Sequence, residues 1–246
     1  MFGRPTSLTT FQLLGLFEHV HAGHVLSVLF ADPRTMITAS MDCTVSIWNV
    51  TNASKSVDLQ PKTSLFGHKK PVIALSASRS LSVLLSASSD GLVILWDLNR
   101  GELVRVLTKS WTVNVSCSDP FQARLLRIVP QCASINDVTG QVMLCQASEL
   151  SVWTLNGDLV LRQDVHVEGE DMITACAFFE GHGHEYLERQ LLFTGHKRGI
   201  VNVSEDAQLK SLQQLTIPLD MESCHSGWIV CFGACQKTAS YGSSRV

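Results

Sequence analysis

The sequence contains no apolar run long enough to cross a membrane. A spanning helix needs about 20 apolar residues, and the longest run near the end of the chain, residues 227–235, has nine. Residues 1–5 also lead into no apolar signal-peptide core. Any membrane association is therefore expected to be peripheral.

The sequence also lacks the close cysteine pairs that mark redox and zinc motifs. Its eight cysteines are scattered, without a C-x-x-C pair, which favours reduced thiols in a cytoplasmic protein. The best metal-ligand cluster is His182, His184 and His196 with Cys176, but zinc sites usually show two close pairs and only "HGH" qualifies here. We therefore predict no metal ion and no cofactor.

Charge is scarce, and it is balanced along the chain. Charged residues make up 17% of the sequence, and 19 basic against 22 acidic residues give a net charge of −3. A phosphate backbone would need a basic stripe, so nucleic acid is not expected as a partner. Hydrophobic residues make up 45% of the chain, which is ample for a folded core.

Two stretches of the chain repeat one pattern. Residues 21–50 and 65–98 each run from Gly-His through an apolar strand, a second strand ending in Asp, and a third strand ending in Trp. Asp42 and Asp90 are 48 residues apart, and the two tryptophans keep the same spacing. A fixed period indicates a repeat architecture, and the short strands between Gly-, Asp-, Asn- and Ser-rich turns predict an all-β fold.

The pattern weakens toward the C-terminus. A third copy places Trp153 after a strand, and its "WTLNGDLV" echoes the "WDLNRGELV" of the second copy. A fourth copy has three strand-like runs, but Ser204 stands where tryptophan would. We place a repeat region over 1–204, a divergent tail over 205–246, and the repeats near 18–50, 65–107, 130–163 and 170–204.

The Gly67-His68 and Trp96-Asp97 pairs resemble the signature of the WD-repeat β-propeller family. The resemblance implies an all-β propeller, partial or divergent, with about four recognisable blades. In that family a histidine, a hydroxyl residue, an aspartate and a tryptophan form a buried hydrogen-bond chain, which satisfies polar groups that could not otherwise be buried. The residues that the resemblance assigns to this structural network are His24, Thr38, Asp42, Trp48, His68, Ser86, Asp90 and Trp96.

The later copies depart from this network. The offsets that relate hydroxyl, aspartate and tryptophan in the first two copies reach Met143 and Ala147 in the third. In the fourth they reach Thr194, Arg198 and Ser204. These two blades are therefore expected to be less rigid, or to be held by packing alone.

Other stretches, "SINDVTGQV" and "SVWTLNG" among them, resemble the C-terminal WD-repeat region of BEACH-domain proteins, the beige and neurobeachin group, over about residues 13–203. The resemblance implies a scaffold for protein–protein interaction in vesicle or lysosomal membrane trafficking or autophagy. Such a scaffold binds other proteins through its propeller loops. Because the sequence contains no BEACH domain, we expect it to be a fragment, a short isoform or an incomplete gene model.

Two other classes of function share parts of this sequence pattern. A generic WD-repeat adaptor in ubiquitin ligation or signalling would share the same signature, and it stays open. A hydrolase built on His68, Ser86 and Asp90 would need an exposed nucleophile on a tight turn such as G-x-S-x-G, whereas Ser86 lies in mid-strand and the constellation occurs twice. We predict no catalytic residues, no enzyme activity and no small-molecule substrate.

Overall fold

The computed structural model is built from four antiparallel sheets, each of four strands. It describes residues 16–53, 56–107, 130–164, 172–180, 190–196, 201–205 and 210–215. Within these residues no helix has the length and apolarity that a membrane span requires.

The first and second sheets correspond to the two strong repeats. The first contains β1 (Val25–Asp32), β2 (Thr35–Ser40), β3 (Val45–Ala53) and β4 (Ser56–Leu65). The second contains β5 (Val72–Ser78), β6 (Val83–Ser88), β7 (Val93–Asp97) and β8 (Leu103–Val106).

The third and fourth sheets have the same plan. The third contains β9 (Cys132–Ile135), β10 (Val142–Gln146), β11 (Glu149–Trp153) and β12 (Leu159–Asp164). The fourth contains β13 (Ile173–Glu180), β14 (Gln190–His196), β15 (Val201–Glu205) and β16 (Lys210–Leu215).

Each sheet is a meander whose strands pair in chain order. The first strands of successive sheets lie side by side, since β1 contacts β5, β5 contacts β9, and β9 contacts β13. Sheets arranged radially about their first strands are the blades of a β-propeller. The predicted fold class, a partial WD-repeat propeller with four recognisable blades, is confirmed.

The apolar core lies between neighbouring sheets, because side chains alternate along each strand. In β6, Leu84 packs against residues of the first sheet, whereas the next residue, Leu85, packs against the third. Both side chains are fully buried. A strand covered on both faces must be apolar at odd and even positions alike, which accounts for the nearly continuous apolar run of this repeat. A third core joins the third and fourth sheets.

One face of the first sheet differs from its counterpart in the second. Val28 pairs with Thr38 as Leu75 pairs with Ser86, and Leu75 is packed against the first sheet. By contrast, Val28 is 55% exposed and its neighbour on the same face, Phe30, is 57% exposed. The described residues place no sheet over this apolar face.

The fourth sheet corrects the predicted boundary at residue 204. Strand β16 pairs with β15 from Val201–Leu215 to Glu205–Lys210, so residues 210–215 belong to the fourth blade and not to a divergent tail. This strand could not be predicted from the sequence, because "KSLQQL" is polar and lacks the alternation of apolar and polar residues seen in the earlier strands. Residues 216–246 of the predicted tail lie outside the described residues.

Candidate functional site

The second sheet brings His68, Ser86 and Trp96 into one buried hydrogen-bond chain. Nε2 of His68 lies 2.7 Å from the Ser86 hydroxyl, and the indole Nε1 of Trp96 donates to the same oxygen at 2.7 Å. Ser86 is on β6 and Trp96 on β7, while His68 precedes β5. The Ser86 hydroxyl thus supplies a partner for the Trp96 indole and for Nε2 of His68, as buried polar groups require.

Gly67 lies directly against this chain. A Cβ atom at Gly67 would be 3.0 Å from Cη2 of Trp96 and 3.3 Å from Cδ1 of Ile94. A side chain there would therefore displace the indole or the isoleucine. This close approach gives the Gly-His pair of the sequence motif a physical reason.

Asp90 is in the turn beside the chain but does not close it. Its carboxylate accepts a hydrogen bond from the Ser88 hydroxyl and another, at 3.1 Å, from the Leu92 amide. Among the described residues, Nδ1 of His68 is buried without a hydrogen-bond partner. Burial lowers the pKa of His68 to about 4, although the negative charge of Asp90 acts in the opposite direction.

The first sheet holds the corresponding chain with His21 as its histidine. Nε2 of His21 lies 2.7 Å from the Thr38 hydroxyl, and Nδ1 lies 3.1 Å from Oδ2 of Asp42. The indole of Trp48 donates to Thr38 at 2.9 Å. Here the four groups form a continuous chain from carboxylate to indole.

The prediction of His24 is wrong, and His21 takes its place. His24 is exposed, and its carbonyl oxygen accepts a hydrogen bond from the Met41 amide. The sequence "HAGH" offers two histidines, and the Gly-His pair pointed to the second. Spacing would have decided correctly, because His21 precedes its hydroxyl partner by 17 residues and His68 precedes Ser86 by 18.

Of the aspartates beside the two hydrogen-bond chains, Asp42 accepts more hydrogen bonds than Asp90. It accepts bonds from the amides of Ala22 and Thr44, both at 2.9 Å, and from the Thr44 hydroxyl at 2.6 Å. Burial raises the pKa of Asp42, but these hydrogen bonds and the nearby His21 outweigh it and lower the pKa to about 2. Asp42 thereby fixes the chain before β1 to the turn between β2 and β3.

The third sheet satisfies its tryptophan in another way. The predicted hydroxyl and aspartate positions, Met143 and Ala147, carry no polar side chain, and Met143 is buried in the core. The indole of Trp153 instead donates to Ser151 at 3.0 Å, and Ser151 donates to the Leu144 carbonyl at 3.2 Å. The fixed offsets of the first two repeats do not reach Ser151, so the sequence pattern did not predict its role.

The fourth sheet carries a third arrangement. Nε2 of His196 lies 3.3 Å from the Thr194 hydroxyl and 3.0 Å from the side-chain nitrogen of Asn202, and all three residues are buried. Ser204, at the tryptophan position, lies on β15 opposite Leu192. Three other residues named from the sequence lie outside the described residues: Arg198, His182 and His184.

The geometry of the second sheet gives Ser86 no route to act as a nucleophile. Its side chain is fully buried, and its oxygen is shared by an indole and an imidazole. Asp90 does not orient the imidazole, as the acid of a catalytic triad would. Such an arrangement holds β6, β7 and the segment before β5 together.

Comparison with known proteins agrees with this geometry. The family described as "WD domain, G-beta repeat" matches residues 13–49 and 59–97. Beige protein homolog 1 of Schizosaccharomyces pombe is 25% identical over 77% of this chain and 7% of its own length. Together with a likeness to the BEACH domain-containing protein A2 of Arabidopsis thaliana, 29% identical over 78% of this chain and 5% of its own length, these matches support a WD-repeat region of the BEACH-protein type. The resemblance predicted from the sequence is confirmed.

Two human relatives extend the match. The WD repeat- and FYVE domain-containing protein 4 of Homo sapiens is 27% identical over 81% of this chain and 6% of its own length. The Lysosomal-trafficking regulator of Homo sapiens is 30% identical over 66% of this chain and 4% of its own length. The WD-repeat region thus spans only 4% to 7% of the curated relatives named here.

Proposed function

We propose that this WD-repeat region is a non-catalytic scaffold for protein–protein interaction. The observation that carries the proposal is the position of Ser86, whose fully buried hydroxyl is already bound by His68 and Trp96. The side chains that resemble a catalytic triad are used to hold strands together. The outer surface of the four sheets, which these buried contacts hold in place, is then available to bind other proteins.

Polar contacts also join the loops of neighbouring sheets, which favours a rigid outer surface. Nε of Arg79, in the turn after β5, lies 3.3 Å from the carboxylate of Asp32 at the end of β1. The Ser80 hydroxyl donates to the Asp137 carbonyl at 2.8 Å, next to the third sheet. Loops held by such contacts lose little conformational entropy on binding, which favours affinity.

We place this scaffold in vesicle or lysosomal membrane trafficking or autophagy. The support is the likeness to a Beige protein homolog and to a Lysosomal-trafficking regulator. The region would act in the cytoplasm, bind other proteins through its loops, and reach endomembranes peripherally as part of a larger complex. We expect neither nucleic acid nor a small molecule as its partner.

Proximity labelling in cells tests the trafficking role. The chain fused to a biotin ligase is compared with an unrelated WD propeller carrying the same ligase at a matched expression level. Enrichment of endosomal and lysosomal membrane proteins over the control would support the proposal. Enrichment of ubiquitin-ligase or signalling subunits would favour the generic adaptor, and labelling equal to the control would contradict both.

A direct assay tests the absence of catalysis. The purified chain is treated with a fluorophosphonate probe and assayed for hydrolysis of small esters. We expect neither labelling nor turnover above buffer. Labelling that maps to Ser86 and disappears in Ser86→Ala would overturn the scaffold proposal.

A further inference from the structure

Three cysteine thiols meet between the third and fourth sheets. Cys132 on β9 and Cys145 on β10 are register partners, so they lie opposite each other on neighbouring strands. Cys176 lies on β13 of the next sheet. The three Sγ atoms lie within 4.8 Å of one another, and all three are free thiols.

This spacing is close to that of three thiolates around one metal ion. Zinc–sulfur bonds are about 2.3 Å long, so sulfurs bound to the same ion are about 3.8–4.0 Å apart. The thiols would need to approach one another by less than about 1 Å, which side-chain rotation alone can supply. The pairing of β9 with β10 already places Cys132 opposite Cys145.

The surroundings of the thiols also suit a soft metal ion. Cys145 is fully buried, and Cys132 and Cys176 are partly buried, within an apolar cluster that includes Ile173 and Leu150. Apolar walls exclude water and the hard oxygen ligands that Mg²⁺ and Ca²⁺ require. Thiolate ligands instead select zinc and Cu(I). A cation among the sulfurs would offset the cost of placing thiolates in this apolar core.

We propose that Cys132, Cys145 and Cys176 bind one thiophilic metal ion, Zn²⁺ or Cu(I), at the junction of the third and fourth sheets. This site shares only Cys176 with the histidine cluster that the sequence offered, and it departs from the prediction that no metal ion is bound. An ion held by both sheets binds the folded state more tightly than the unfolded one, so it stabilises the junction. Binding also releases thiol protons.

Metal content and affinity test the site. The full chain is purified under reducing, metal-free conditions, titrated separately with Zn²⁺ and with Cu(I) held by a competing chelator, and analysed by mass spectrometry for bound metal. We expect one ion per chain, and the titrant bound more tightly identifies the metal. Cys145→Ser and Cys176→Ser should each weaken binding by at least about tenfold.

Cys43→Ser is the matched control, because Cys43 is a free cysteine in a turn of the first sheet. It should bind metal as the parent does. Full-strength binding in both Cys145→Ser and Cys176→Ser would place the metal on other cysteines and overturn the proposal. Failure of the parent to bind either ion would also overturn it.

Alkylation of the parent chain tests the site without any variant. Iodoacetamide modification is mapped by mass spectrometry with and without bound metal. We expect metal to protect Cys132 and Cys176 by at least about tenfold while Cys43 reacts at an unchanged rate. Equal protection of all cysteines, or a disulfide within the trio under reducing conditions, would contradict a metal site. Because this readout uses the native sequence, a variant that fails to fold leaves the test intact.

Discussion

The indole of Trp96 donates to the hydroxyl of Ser86 at 2.7 Å across two neighbouring strands. The same oxygen is bound by His68 from outside the sheet. One small hydroxyl therefore joins two strands and the segment that leads into the blade. The equivalent oxygen in the first blade, that of Thr38, has the same two kinds of partner.

Replacing this hydroxyl should destabilise the fold. In Ser86→Ala the Trp96 indole and Nε2 of His68 both lose their partner in a buried site, which costs about 1–3 kcal/mol. Urea denaturation followed by tryptophan fluorescence measures the loss. Ser89→Ala, in the adjacent turn, is the control and should change the free energy of unfolding by less than about 0.5 kcal/mol. Equal midpoints for parent and Ser86→Ala would contradict the structural role.

The second repeat could be predicted from the sequence because its polar residues keep strict offsets. Ser86, Asp90 and Trp96 are all on or beside strands whose alternation is plain, so spacing converts directly into position. The histidine is different, since it lies in a loop before the sheet, outside the strand alternation. The Gly-His pair indicates His24, whereas the separation of 17 or 18 residues from the hydroxyl residue indicates His21.

The later repeats could not be predicted by the same rule. A buried indole needs an acceptor, but any hydroxyl within reach can supply it. In the third blade Ser151 does so from the same strand as Trp153, two residues away. The cysteine cluster could not be predicted either. Cys132, Cys145 and Cys176 have no motif spacing, and they meet only because the third and fourth sheets pack together.

The two aspartates of the network should differ in importance. Asp42 accepts four hydrogen bonds, from His21, Ala22 and twice from Thr44. Asp90 accepts bonds from Ser88 and Leu92 and none from His68. We expect Asp42→Ala to cost about 1–3 kcal/mol and Asp90→Ala about 0.5–1.5 kcal/mol.

Urea denaturation of the two aspartate variants at pH 7 checks this order. Asp42→Asn keeps the size of the side chain and part of its accepting capacity, so it should fall between the parent and Asp42→Ala. A larger loss for Asp90→Ala than for Asp42→Ala would mean that Asp90 reaches His68 in solution.

Gly67 should not accept a larger side chain. A Cβ atom there would lie 3.0 Å from the Trp96 ring, and Val would add two further carbons against it. Overpacking of this kind costs about 1–3 kcal/mol, so the melting temperature of Gly67→Val should fall. Lys69→Val, on an exposed neighbour, is the control and should melt close to the parent. Coincident melting curves for Gly67→Val and the parent would show that the indole moves aside freely.

The buried imidazole of His68 should make stability depend on pH. Burial lowers its pKa in the folded chain from 6.5 to about 4. Between these values the unfolded chain binds a proton at this position and the folded chain does not, so acid favours unfolding. The contribution of His68 to stability is therefore fully present above about pH 6.5 and is lost as the pH falls to about 4. Asp42, with a pKa of about 2, titrates below this window.

His68→Gln removes the titration while keeping an amide that can reach Ser86. We expect the parent to be more stable than His68→Gln at pH 7, and the difference in unfolding free energy to narrow steadily between pH 6.5 and pH 4. Urea denaturation of both chains at half-unit pH steps measures this difference. His24→Gln, on the exposed histidine, corrects for general acid effects and should follow the parent at every pH. A parent-to-His68→Gln difference that stays constant across the window would mean that His68 keeps an ordinary pKa, and hence that solvent reaches its ring.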